Sequence, residues 1–517
     1  MQQVHKALKT LNQSKPPGPD FIEPYFLKMS ADFIAQPITT LFNLSIENKE
    51  LPVVWKSAFV IPLLKGGDPA VLTNYRPISN LCVLSKILES LVCEQLKDFL
   101  YTNNLLSRLQ SGFRKKHSTI TAATKVVNDI LVALDKNQYC AALFIDLSKA
   151  FDTVDHTVLR ERLSSFGLSD HVVSWFTNYL SGRSQCIKHD DLYSEFVSVH
   201  KGVPQGSVLG PLLFIMYIND VGRNVSDANM HFYADDTIIY CFGPSAVNAI
   251  ESLQKAFDVI QQTFLQLKLL LNADKTKQML FSKPRKVPSI IPSVLTLEGT
   301  EIEVVHLYKY LGILLDDTLT FKAHIENLVR KLKLKLGFLF RNKICFSFHV
   351  KKRLVSATFV SILDYADLLY MNASSQCLSK IDSVYHGALR FITNCRAQTH
   401  HCELYARVKW SSLTTRRLTH WYTFIYKAIL GLLPPYICSL ITVRNIESYG
   451  LRSKGHLLLS VPCFRTELGK RAFVFSAPTS WNNLQKDLKL TDLIPLNDFN
   501  SKMRSLETES IVCNCFN

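Results

Sequence analysis

Two adjacent carboxylates, Asp235 and Asp236, sit in the run FYADDTIIY at residues 232–240, among Phe, Tyr, Thr and Ile residues that favour strands. A tight turn accounts for one of them, because Asp tolerates left-handed backbone angles and starts turns readily. A cation site accounts for both, because paired carboxylates repel unless a positive charge lies between them. A third acid, Asp146, closes the apolar run QYCAALFID, which has the length of a strand covered on both faces. Three desolvated carboxylates at strand ends are a costly structural choice. Divalent ions reverse that cost. Two magnesium ions about 3.5–4 Å apart, held by shared carboxylates, activate an attacking oxygen and stabilise a leaving phosphate oxygen. Magnesium takes few protein carboxylates and completes its shell with substrate phosphates, which suits this sparse set.

The elements that must deliver these acids are legible around them. The first 50 residues read as helices broken by KPPGPD, a turn that Pro16, Pro17 and Pro19 stiffen. WKSAFVIPLLKGGDP is a short apolar strand running into a basic, glycine-rich loop. Leu84, Ile87, Leu88, Leu91, Val92 and Leu96 then recur at helical spacing. HSTITAATKVVNDILVALDK is an amphipathic helix behind a Ser/Thr cap. In KGVPQGSVLGPLLFIMYIND, Pro204 is expected to open a helix whose buried stripe is Leu209, Leu212, Leu213, Met216 and Tyr217. Strands and helices mix without regular alternation as far as residue 318, which predicts an α+β domain with helices on one face of an antiparallel sheet. Beyond it, Ile325, Leu328, Val329, Leu332, Leu336 and Leu339 share a helix face, and Arg330, Lys331, Lys333 and Lys335 form a basic stripe off that face. Residues 350–517 read as mainly helical and basic.

Composition narrows the class. The chain has 517 residues, 47% hydrophobic and 20% charged, so a substantial folded core is expected rather than disorder. Lys and Arg number 59 against 43 acids, a net charge of +16 that calls for an anionic partner, nucleic acid ahead of a membrane surface. The 13 cysteines lack paired spacing and read as reduced thiols. Cys395, His400, His401 and Cys402 fall short of a zinc knuckle, which needs four convergent ligands. Cys513 and Cys515 stand alone. No secretory h-region and no stretch of about 20 apolar residues is present, so an intracellular protein of the nucleus or cytoplasm is expected, with no membrane partner.

The motifs together resemble the reverse transcriptases of non-LTR retrotransposons (LINE elements), nearest the jockey and chicken-repeat groups. FIDLSKAFD is similar to the family's motif A, KGVPQGSVLGPLLFIMYIND to motif B, FYADD to motif C, LNADKTKQM to motif D and YKYLGILL to motif E. NYRPISNL and QSGFRKKHST resemble the finger motifs, and KPPGPD the segment before them. They cover roughly residues 10 to 318 in family order. A lone YADD is a weak signal, whereas seven ordered motifs are a strong one.

The resemblance implies a right-hand polymerase: fingers and palm over 1–318, a thumb-like helical region over 319–400 and a helical basic region over 401–517. It implies RNA-directed DNA synthesis from a 3′-hydroxyl with deoxynucleoside triphosphates, an RNA template, a DNA primer or target, and two Mg2+ ions, with Mn2+ as the substitute. Asp146 and Asp235 would bind both metals, with Asp236 beside them. Phe151 matches the steric gate that excludes a ribose 2′-OH, although an ordinary core Phe reads as naturally. Lys65 and Arg76 match the cations on the triphosphate, and Gln205 and Gly206 the loop against template and nascent pair. Lys275 matches the motif D proton donor to pyrophosphate, with Lys277 as its rival. The basic helix falls where the thumb grips the primer–template backbone; a solvated charged face is the alternative. A separate endonuclease would be needed for target nicking. An inactive, element-derived nucleic-acid-binding protein is the second reading.

Overall fold

The computed structural model describes residues 1–286, 288–444 and 456–509; Cys513 and Cys515 lie outside the described residues. Its strands, in chain order, are β1 (Ser57–Leu64), β2 (Tyr75–Leu81), β3 (Tyr139–Ile145), β4 (Arg183–His189), β5 (Leu192–Tyr193) and β6 (Val197–Val199). They continue with β7 (Asn229–Tyr233), β8 (Asp236–Gly243), β9 (Lys277–Phe281), β10 (Leu307–Tyr310) and β11 (Ile313–Asp316). One sheet has the order β2-β1-β4-β5 with β6 also on β4; a second has the order β7-β8-β3-β9; β10 and β11 make a hairpin. The second sheet is antiparallel throughout, whereas β1 and β4 of the first run parallel.

β3 lies inside the second sheet, and its period-two alternation divides the core. Ala141, Leu143 and Ile145 pack with Leu253, Phe257 and Ile260 of the helix Ala246–Gln266. Cys140, Ala142 and Phe144 face the other way. They join a cluster with Val126 and Ile130 of the helix Thr119–Asp135, which packs on β3, and with Ile325, Leu328 and Leu332 of the helix Lys322–Arg341, which packs on β11. Helices therefore cover both faces, where the sequence pattern predicted one. The continuous apolar run of β3 is the local reason: a strand with no polar face leaves none for water. A third cluster, around Trp421, Tyr426, Trp481 and Phe499, unites the helices Leu413–Ile429, Phe473–Leu488 and Leu496–Glu509.

Local signals explain most elements. Ser118 caps the helix Thr119–Asp135 through a reciprocal capping box with Thr121. Pro204 does not open a helix: the next one is Gly210–Tyr217, with Pro at its first turn supplied by Pro211. The stretch between is a turn in which Ser207 N–H donates to Pro204 O and Ser207 Oγ accepts from Gly210 N–H. Ser207 Oγ thus satisfies the first N–H of the helix, whose N-cap residue, Leu209, has no side chain that can do so.

Candidate active site

β7 and β8 are joined by two residues, because Tyr233 and Asp236 are the last ladder pair. Ala234 takes φ of 57°, so the first turn residue is left-handed and Asp235 occupies the second position. Asp236 opens β8. Ile145 stands opposite Thr237 in the β3–β8 ladder, and one further step in that register sets Asp146 beside Asp236. Two strand ends and one turn thus bring three acids to one rim of the sheet.

Each carboxyl is shifted in the direction expected of buried like charges. Burial raises Asp146, and burial with the charge of Asp146 raises Asp235. Asp236 keeps a surface open to solvent, yet desolvation of its carboxyl, then the fields of Asp235 and Asp146, push it up to about 6. Arg76 on β2 opposes the rise at Asp235 and Asp236, while Lys275 and Lys65 oppose it at Asp146. Cations of β2 and of the segment just after β1 therefore act on acids at the rim of the second sheet. The carboxylate oxygens are not all within 4.8 Å of one another.

Gln205 and Gly206 sit on the loop between β6 and the helix Gly210–Tyr217. Gln205 O accepts from Ser79 N–H at 2.6 Å, and Gln205 Nε2 donates to Asp152 Oδ1 at 2.8 Å. Gly206 has φ of 126°, and a Cβ there would lie 2.4 Å from Ser79 O, so β2 itself requires glycine at this position. Phe151 is half-buried, stacked on Phe214 with centroids 4.3 Å apart and met edge-on by Phe113 at 6.3 Å.

The family profile described as reverse transcriptase (RNA-dependent DNA polymerase) matches residues 63–315, the span that holds all of these groups except the distal basic helix. The chain carries a reverse transcriptase domain. It is 29% identical over 407 residues to an RNA-directed DNA polymerase from mobile element jockey of Drosophila funebris, covering 76% of this chain and 44% of that protein. A probable RNA-directed DNA polymerase from transposon BS of Drosophila melanogaster is 29% identical over 406 residues, with the same coverage. That from transposon X-element of the same fly is 28% identical over 407 residues, again covering 76% and 44%. The chain spans less than half the length of these curated relatives.

Within the reverse transcriptase domain, the two motif D lysines occupy different surroundings. Lys277 donates to Asp274 O and pairs with Glu303 Oε2 at 2.6 Å. Lys275 is exposed, and its charge acts on Asp146. Beyond the domain, Arg330, Lys331, Lys333 and Lys335 are all exposed on one helix, and no ion pair of theirs is present among the described residues. Arg330 donates to Asn327 Oδ1 at 3.0 Å.

Two supports of the site were not singled out from sequence. Glu89, 1% exposed, accepts from Val208 N–H at 2.7 Å and Leu209 N–H at 3.2 Å, fastening the loop at the start of the helix Gly210–Tyr217. Tyr308 stacks on Phe144 at 4.1 Å, and burial with the fields of Asp236 and Asp146 pushes its hydroxyl up to about 12. The YKYLGILL motif flagged its strand; nothing in the sequence separates it from Tyr310.

Of the zinc-like residues, His400, His401 and Cys402 bring donor atoms within 4.8 Å of one another, and Cys395 is not in that group. Three donors remain one short of a closed structural zinc site. Asp364, Asp367 and His420 also cluster, but Arg416 donates to both Asp364 oxygens at 2.6 and 2.5 Å and His420 meets Asp367 at 2.7 Å, an ion-pair network rather than an open donor set.

Proposed function

We propose that this chain is an RNA-directed DNA polymerase of the non-LTR retrotransposon class, extending a 3′-hydroxyl primer on an RNA template with deoxynucleoside triphosphates. The observation that carries this reading is the rim of Asp146, Asp235 and Asp236, desolvated and facing Arg76 and Lys65. Hard oxygen donors whose like charges raise one another fit a hard divalent cation such as Mg2+, with Mn2+ as the substitute. Asp146 and Asp235 would hold two such ions, with Asp236 adjoining, and when bound they supply Lewis acidity to the attacking and leaving oxygens.

The remaining work falls to the chain's own groups. Lys65, a point charge, and Arg76, a fork, bind the triphosphate. Phe151 closes the space that a ribose 2′-OH would need. Gln205 and Gly206 line the path of template and nascent pair, and Lys275 Nζ gives a proton to the departing pyrophosphate. In this reading residues 1–318 are fingers and palm, 319–400 a thumb that holds the duplex through Arg330, Lys331, Lys333 and Lys335, and 401–517 a further region. The polymerase acts inside the cell, in the nucleus or cytoplasm; no described helix is long and apolar enough to cross a membrane. An inactive nucleic-acid-binding derivative is not favoured, because each acid of the rim is retained.

Extension of a DNA primer on a homopolymer RNA template by the purified chain tests this directly. Asp235→Asn and Asp146→Asn should each abolish extension while leaving template affinity near the parent value, since affinity comes mainly from phosphate contacts. Substantial extension by a folded Asp235→Asn protein would sink the assignment.

A further inference from the structure

The helices after residue 400 are docked on the reverse transcriptase domain at named, polar points. Asp135 accepts from Arg465 N–H, Thr466 N–H and Thr466 Oγ1, and Asn128 Oδ1 accepts from Val474 N–H at 2.9 Å. Lys116 Nζ donates to Gly431 O at 2.8 Å. Tyr436, on the short helix Pro435–Cys438, reaches furthest. Its hydroxyl lies 2.8 Å from Ser111 Oγ and 3.1 Å from Thr121 Oγ1, and its ring meets His231 edge-on at 5.1 Å.

Ser111 belongs to a segment that holds the turn carrying Asp235. Phe232 N–H donates to Leu109 O at 2.8 Å, and Ser111 N–H donates to Phe232 O at 2.7 Å. Gln110 Oε1 accepts from Ala234 N–H at 3.0 Å, and a Cβ on Gly112 would lie 2.3 Å from that same nitrogen. His231, two residues before Tyr233, sits 2.9 Å from Ser111 Oγ.

One set of directions satisfies every group. Thr121 Oγ1 donates to Ser118 O at 2.8 Å, so it accepts from the Tyr436 hydroxyl. Tyr436 then accepts from Ser111 Oγ, and Ser111 accepts from His231 Nε2–H. Burial lowers His231 to about 3, so its single ring proton is available for that bond. The chain of bonds runs from β7 to the cap of the helix Thr119–Asp135, and its middle link comes from outside the polymerase motifs.

We propose that the C-terminal region is part of the active-site framework, with Tyr436 a positioning residue that holds, through Ser111 and His231, the turn bearing Asp235 and Asp236. This rests on the reading of those acids given above. A small displacement of reacting groups costs rate more than affinity. In the full chain, Tyr436→Phe removes one hydroxyl and leaves the Ser111 proton unmatched. It should lower kcat for nucleotide addition roughly tenfold or more, with nucleotide KM and template affinity at parent values. Ser111→Ala should do the same, and the double variant should cost no more than either alone, because both cut one chain. Asn128→Ala loosens the same docking surface elsewhere and should leave kcat unchanged. Hydrogen exchange at the Phe232 and Ala234 amides should quicken in Tyr436→Phe and not in Asn128→Ala. A parent that extends primers beside a Tyr436→Phe variant of parental kcat overturns this inference alone, as does equal quickening of exchange in both variants. A parent that fails to extend overturns the reading beneath it, and the inference with it.

Discussion

Gln205 Nε2 donates to Asp152 Oδ1 at 2.8 Å, tying the loop before the helix Gly210–Tyr217 to the residue next to Phe151. The backbone repeats the tie: Val203 N–H donates to Phe151 O and Gly202 N–H to Val154 O, both at 2.8 Å. A Cβ on Gly202 would lie 2.7 Å from Asp152 O, so the two backbones are in direct contact. Whatever rests on Gln205 is therefore placed by Asp152.

Asp152→Ala should release the Gln205 amide without touching Asp146, Asp235 or Asp236. A hydrogen bond to a charged group contributes about 1.5–3 kcal/mol, and 1.4 kcal/mol is a factor of ten, so nucleotide KM should rise roughly tenfold or more. Single-turnover addition at saturating nucleotide should change far less. Equal losses in both would place Asp152 in the chemical step instead.

Phe151→Val should relax sugar selection, because removing the ring opens room for a 2′-OH. The ring also stacks on Phe214, so the variant should lose about 1–3 kcal/mol of stability from the space left behind. The measurement compares ribo- with deoxynucleotide incorporation by parent and variant below the variant's melting range. An unchanged ratio in a folded variant would make Phe151 a packing residue.

Replacing Arg330, Lys331, Lys333 and Lys335 by Gln keeps helix propensity and removes four exposed charges. Template affinity should then fall similarly for unrelated sequences. Each lost phosphate contact should also remove roughly 0.7–0.9 from the slope of log affinity against log salt. Binding titrations at several salt concentrations read both. Affinity and slope equal to the parent's would mark the stripe as a solvated face.

Asp135 offers a pH test of docking. Burial pushes its carboxyl up, but hydrogen bonds from Thr466 and the backbone of Arg465 outweigh it, and the folded value lies below the ordinary one. A group depressed on folding stabilises above its unfolded value, about 3.9, and loses that contribution as pH falls through the folded value. Denaturant titrations should show the parent more stable than Asp135→Asn at neutral pH, with the gap closing below about pH 4. A gap that stays constant with pH would mean that lost packing, not charge, separates the two.

Much of this protein is legible in its sequence because the signals are local. Ser118 and Thr121 announce a capped helix within four residues, the unbroken apolar run before Asp146 demands a covered strand, and Asp235 and Asp236 are adjacent by covalent connection. Chain order alone also aligns the seven motifs. The misreading of Pro204 came from a signal with two local meanings: a proline can start a helix or shape a turn, and here Pro211 stands in the helix's first turn while Pro204 lies in the turn before it.

What the sequence determined by itself is therefore which acids, cations and strands are present and the order in which they come. Only the tertiary structure decided which of them meet. Arg76 and Asp236 are remote in the chain, and the packing of the two sheets brings the charge of one to bear on the carboxyl of the other. Lys275 is separated from Lys277 by an ion pair with Glu303 that no spacing rule foretells. Gly206 is glycine because Ser79 O comes within reach of its missing Cβ. Tyr436 reaches Ser111 across 325 residues. Contacts of that range depend on how whole helices and sheets pack, and packing is a property of surfaces that no single stretch of sequence contains.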